Sequence, residues 1–174
     1  MNILDGTEII QLIGLPESDD KILDLIEALG VDVSEIERDE DDESYWIELS
    51  DILGVDLNFN DVAYSEKQKN LNIGGLYLND INFQSNYNFL PYGIEINDTL
   101  ETIENKIGKK ANYIRLEENG EPDEEVLYWI YENLGVFSIQ FEDNQQNSII
   151  AIDIMPYENP ASEGFDELMK PYFR

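Results

Sequence analysis

Two hydrophobic rhythms alternate along the chain. Ile22, Leu25, Ile26 and Leu29 recur at the i, i+3, i+4, i+7 spacing of a one-sided helix. Pro16 suits its first turn and Gly30 the position just past its end, and Asp19 and Asp20 complement the helix dipole. A shorter element, Thr7 to Ile13, precedes it. Leu100, Ile103 and Ile107 form a second stripe, with Asp98 as the expected N-cap, Glu101 at capping-box spacing and Gly108 as the stop. Elsewhere Asp56–Asp61 alternates apolar with polar at a period of two, the mark of a strand. Tyr45–Leu49, Gly75–Phe83, Ala111–Leu116, Leu127–Tyr131, Val136–Phe141 and Ser148–Ile154 also read as strands. Residues 64–70 read as a hairpin loop, 84–93 as a connector, and Glu163–Met169 as a short helix.

The pattern occurs twice. In the first half an acidic run is followed by Tyr45-Trp46-Ile47, Leu53-Gly54-Val55 and Leu57-Asn58-Phe59-Asn60-Asp61. In the second, an acidic run is followed by Tyr128-Trp129-Ile130, Leu134-Gly135-Val136 and Ile139-Gln140-Phe141-Glu142-Asp143. The offset drifts only between 81 residues (Gly54 to Gly135) and 83 (Tyr45 to Tyr128). Each copy follows a helix that ends in Gly. The expectation is an α+β protein of two tandem helix-plus-antiparallel-meander repeats, residues 1–88 and 89–174, forming one compact unit. The helices cover one face of the sheet or sheets, which pack side by side or run on into one another. Trp46 and Trp129 hold the same place in both copies and are expected in the core rather than as interface anchors.

Composition narrows the chemistry. The 174 residues carry 39 Asp+Glu against 10 Lys+Arg, a formal net charge of -29. With 42% hydrophobic and 11% aromatic residues, this is too apolar for a disordered acidic tail. There is no His and no Cys, which excludes Ser-His-Asp and Cys-His catalysis, Cys/His zinc sites and disulfides. No run approaches a membrane span, and the first residues lack the basic and apolar regions of a signal peptide. The expected compartment is the cytoplasm. So strong a negative field disfavours nucleic acid and anionic lipid and favours a basic protein partner.

With so many carboxylates, chance proximity is common, and nothing in the sequence marks one pair as an acid/base dyad in an apolar pocket. The run Asp39-Glu40-Asp41-Asp42-Glu43 is oxygen-rich but lacks the ligand spacing of a calcium loop. Gly74-Gly75 stands outside any phosphate-binding motif. Neither a metal nor a cofactor is expected, and no catalytic residue. The distribution of charge says more. From Asp39 to Glu66 there are ten acids and no Lys or Arg; from Leu116 to Met169 there are fourteen acids and again no cation. Lys106, Lys109, Lys110 and Arg115 cluster between these stretches. The candidate partner-binding residues are therefore the two acidic loops: Asp39, Glu40, Asp41, Asp42 and Glu43, with Glu117, Glu118, Glu121, Asp123, Glu124 and Glu125. Tyr64, Tyr87 or Tyr92 are candidate aromatic anchors.

The helix ending in Leu-Gly, the Tyr-Trp-Ile triplet, Leu-Gly-Val-x-x-x-x-Phe-x-Asp, and Leu90-Pro91-Tyr92-Gly93-Ile94 before a capped helix resemble immunity proteins of bacterial polymorphic-toxin and contact-dependent growth inhibition systems. The doublet is also similar to the tandem architecture of the β-lactamase inhibitor protein. The resemblance implies a non-enzymatic inhibitor that neutralises a cognate cationic toxin domain, a nuclease, by electrostatic and steric occlusion. A DNA mimic that occupies the groove of DNA-binding proteins is the alternative.

Overall fold

The computed structural model describes residues 4–32, 44–61, 75–111, 113–115, 126–131, 135–142 and 148–155. Helix α1 spans Gly6–Ile10, and the Asp5 side chain caps it by accepting from the Thr7 amide. Helix α2 spans Asp20–Ala28 and is capped by Asp19. Its Ile22, Leu25 and Ile26 are buried, as their spacing requires. Pro16 does not open α2; it forms an isolated bridge with Tyr77, and Asp19 makes the better cap because its carboxylate reaches the Lys21 amide.

All seven expected strands form. They are β1 (Ser44–Glu48), β2 (Val55–Asn60), β3 (Tyr77–Gln84), β4 (Tyr113–Arg115), β5 (Val126–Tyr131), β6 (Gly135–Phe141) and β7 (Ile149–Met155). They make one antiparallel sheet in the order β1-β2-β3-β7-β6-β5-β4. The meanders β1-β2-β3 and β4-β5-β6-β7 therefore run on into one another, joined by β3 and β7 in the register Ile81–Ile154 to Gln84–Ala151. Two bulges interrupt the ladders, at Asn58/Phe59 against β3 and at Gln140/Phe141 against β7.

Between the halves, Pro91–Gly93 forms a 3-10 turn, followed by helix α3, Leu100–Ile107. The expected cap moves by one residue. Thr99 caps α3 by accepting from the Thr102 amide, while Asp98 accepts from the Glu95 amide and pairs with Lys106 at 2.6 Å. Gly108 ends the helix in the left-handed conformation, φ 78°. Buried Glu104 ties the helix to the following chain, accepting from the Ala111 amide at 3.1 Å and from Lys110 at 2.6 Å.

Alternation sorts the strands into two faces. Ile47, Val55, Leu57, Phe59, Ile81, Phe83, Phe137, Ile139, Ile152 and Ile154 all fall on one register face and are at most 5% exposed. They form one apolar cluster with Ile9, Ile10, Ile22, Leu25 and Ile26 of the helices and Leu100, Ile103 and Ile107 of α3. Burial of these side chains supplies the main stabilising term, at roughly 1.5–3 kcal/mol each. Among the described residues no helix is long and apolar enough to cross a membrane.

The repeated triplet does not keep one register. Tyr45 stands opposite Phe59, but Tyr128 stands opposite Ser138, three residues short of Phe141, the sequence counterpart of Phe59. Three residues separate the end of β5 from the start of β6, against six between β1 and β2, which shifts the pairing. Trp46 is 47% exposed, overturning the expectation of a core residue: it pairs with Asn58 and so lies on the polar face. The Trp129 side chain lies outside the described residues.

Among the described glycines Gly54 makes the tightest approach to its neighbours. Its φ is 79°, and a Cβ there would meet Asn86 Oδ1 and come within 2.5 Å of the Tyr87 amide nitrogen. Gly108 has nearly the same φ but open space around it. Gly108→Ala should therefore cost only the left-handed strain, about 1 kcal/mol, and Gly54→Ala roughly 3 kcal/mol or more, because backbone must also move. Urea midpoints of the two variants check this; equal losses would contradict the packing assigned to Gly54.

Candidate functional site

The eleven acids singled out from the sequence, Asp39 to Glu43 and Glu117 to Glu125, lie outside the described residues, as does Tyr64. The other two anchor candidates are placed. Tyr87 is 5% exposed and its hydroxyl donates to the Leu4 carbonyl at 2.6 Å. Burial, with the Asp5 carboxylate adding to it, pushes its phenol up to about 12. It is a core tether, not an anchor, because it closes the start of the chain onto the sheet. Tyr92 is half-buried, has φ 60°, meets Phe137 edge-on at 6.0 Å, and its amide donates to Thr7 Oγ1 at 2.7 Å.

The polar face of the sheet carries what the sequence reading missed. By register, Asp56, Asn58 and Asn60 of β2, Asp80, Asn82 and Gln84 of β3, Asp153 of β7, and Ser138 and Gln140 of β6 share that face. Several are buried there: Asn58 is 8% and Ser138 4% exposed, and bulged Asn79 2%. Buried amides need partners, and these make two relays. On one side Asn79 donates to Asn60, Asn60 to Asn58 at 3.4 Å, and Asn58 to the Tyr45 carbonyl at 3.3 Å. On the other, Gln84 donates to Asn82 at 2.5 Å, and Asn82 to Asp153 Oδ1, while Ser138 donates to Asp153 Oδ2 at 3.4 Å.

Asp80 sits between the relays. Its Oδ1 is buried without a hydrogen-bond partner. Burial, then the charge of Asp153, pushes its carboxyl up to about 7, against a smaller opposing effect of the Ile81 amide. Burial also raises Asp153, and its bonds from Asn82 and Ser138 oppose the rise. The chemical consequence is that the two carboxyls do not both ionise readily below neutral pH. The signal was present in the sequence as acids inside apolar runs, Leu78-Asn79-Asp80-Ile81 and Ile152-Asp153-Ile154.

Two further surfaces bear on partners. A shallow groove of about 510 Å³ is lined by Leu23, Glu27, Gly30, Val31 and Asp32 at the end of α2, and Leu23 is 39% exposed. On β1, the outermost of the described strands on its side, stand half-exposed Trp46 and exposed Glu48. Among the described residues no three Asp or Glu side chains come together as metal ligands do. Compared with known proteins, the sequence matches no family model, and neither a curated protein nor a solved structure matches it.

The Asp80 carboxyl predicts how stability depends on pH. Its folded value, about 7, lies above the ordinary 3.8, so the folded state holds this proton where the unfolded chain has lost it. The contribution is full below about pH 4, falls as pH rises through 7, and is flat above that. Asp80→Asn should remove this fall and stabilise the protein at pH 8 by about 2 kcal/mol. Urea titrations of both proteins at pH 5 and pH 8 test it; a variant less stable than the parent at pH 8 would show that the ionised carboxylate is not the weak point.

Proposed function

We propose that this chain is an immunity-type inhibitor: a cytoplasmic protein that binds a cognate cationic toxin domain, a nuclease, and blocks it by charge and steric occlusion, with no catalysis of its own. The observation that carries this reading is the charge. The chain has 39 acids and 10 cations, and two lysines of the central cationic cluster are already paired within the fold, Lys106 with Asp98 and Lys110 with Glu104. Such a surface repels phosphate backbones and anionic lipid and draws in a cationic cleft. At low salt it steers association toward roughly 10⁸–10⁹ M⁻¹s⁻¹. The acidic pair Asp80 and Asp153 fits this reading better than a hydrolytic dyad, because both oxygens of Asp153 are taken by Asn82 and Ser138 within the sheet.

We read the architecture as two tandem helix-plus-meander units, 1–88 and 89–174, with the helices on one face of the common sheet. Helix α2 precedes the first meander and α3 the second. The bulges at Asn58/Phe59 and Gln140/Phe141 fall at counterpart positions of the sequence repeat. Asn82 and Asp153 stand opposite each other, with Ile81 facing Ile154 and Phe83 facing Ile152. A two-fold axis through the Asn82–Asp153 pair would exchange the two strands residue for residue. On this reading the acidic loops, Asp39–Glu43 and Glu117–Glu125, precede equivalent strands and add to one negative field.

The test is kinetic. Replacing Asp39, Glu40, Asp41, Asp42 and Glu43 by lysine should slow association with the cognate toxin domain roughly tenfold or more at low salt, with a smaller change in dissociation. Stopped-flow mixing at two ionic strengths separates the rates; a variant that only dissociates faster would count against steering by this loop.

A further inference from the structure

The two edges of the sheet are guarded differently. On one side β4 covers the outer edge of β5, with Tyr113 opposite Tyr128 and Arg115 opposite Val126. Strand β4 is drawn from the chain's cationic stretch, which holds Lys106, Lys109, Lys110 and Arg115. On the tandem reading β1 is the counterpart of β5. Among the described residues no strand lies outside β1.

Unpaired edges usually carry a guard such as a lysine, a proline, a bulge or extreme shortness. β1, Ser44-Tyr45-Trp46-Ile47-Glu48, has five residues, neither Lys nor Pro, and an unbroken register with β2. It also presents Trp46, 47% exposed, one of few large apolar side chains so placed among the described residues. Its neighbours in the sequence are acidic: no Lys or Arg occurs from Asp39 to Glu66, and Glu48 and Asp51 are exposed. A second copy would bring another net charge of -29, so repulsion opposes edge-to-edge pairing of the chain with itself. A cationic strand meets no such barrier.

We propose that β1 is a docking edge that pairs with an extended cationic segment of the protein partner, in the way β4 pairs with β5. Main-chain hydrogen bonds to β1 supply the affinity. Glu48 and Asp51 select Lys or Arg in the incoming strand. Trp46 packs on the stem or the charged end of one of them. The inference rests on the reading of a cationic protein partner and adds where and in what conformation that partner binds.

A short synthetic peptide alternating lysine with valine is the probe, compared with one of equal charge in which proline replaces the central valine. Titration into the isotope-labelled full chain at low salt should shift and protect the amides of Ser44–Glu48 for the first peptide, with the proline peptide bound roughly tenfold more weakly. Trp46→Ser, a neutral change at a half-exposed position, should weaken the first peptide by about tenfold as well. Shifts centred on the α2 groove or the polar face, or equal binding of both peptides, would overturn the docking edge while leaving the cationic-partner reading intact. Binding of neither peptide at any site would overturn both.

Discussion

The pairing of β3 with β7 is the contact on which the rest of the molecule depends. Without it the chain is two meanders with an open central edge each; with it they become one sheet whose apolar face is continuous from Ile47 to Ile139. The seam is also where electrostatics work against the fold. Its polar side carries Asp153, bonded to Asn82 and Ser138, and Asp80, whose Oδ1 is buried without a partner. The apolar side of the seam, Ile81, Phe83, Ile152 and Ile154, is fully buried and outweighs this cost. The most stabilising and the most strained features of the sheet thus occupy opposite faces of the same strands.

Much of this was legible in the sequence, for a definite reason. Where one face is buried and the other polar, alternation marks the strand, as in β2; β5, Val126-Leu127-Tyr128-Trp129-Ile130-Tyr131, is marked instead by its β-branched and aromatic residues. Helices α2 and α3 likewise reveal themselves through Ile22, Leu25 and Ile26 and through Leu100, Ile103 and Ile107, which meet the same core. The strand order was left open between two sheets and one, because it depends on a contact between residues about seventy positions apart, Asn82 and Asp153, that no local pattern encodes. The cap of α3 slipped from Asp98 to Thr99 because two good capping residues are adjacent, and Lys106 claims the aspartate.

Trp46 and the Asp80–Asp153 pair show the limit of periodicity from opposite sides. Both lie on the polar register face. At the edge that face is open enough to leave a tryptophan half-exposed, whereas at the centre it is closed enough to bury asparagines and raise a carboxyl to about 7. Alternation tells which face a residue takes and nothing of how crowded that face is. Trp46 is therefore expected in the core, and no acid pair stands out as buried.

Charge connects this architecture to the proposed role. A surface so acidic destabilises the compact state through self-repulsion, and the Asp80 site adds to that cost rather than relieving it. Neutralisation by a cationic partner would relieve the repulsion and supply binding free energy from the same source. The most direct test is capture from lysate of the native host, with the protein immobilised and washed at low and then high salt. The account predicts one basic protein retained through the high-salt wash, carrying a nuclease activity that this protein abolishes. Several unrelated basic or DNA-binding proteins, all released by salt and none inhibited, would contradict it.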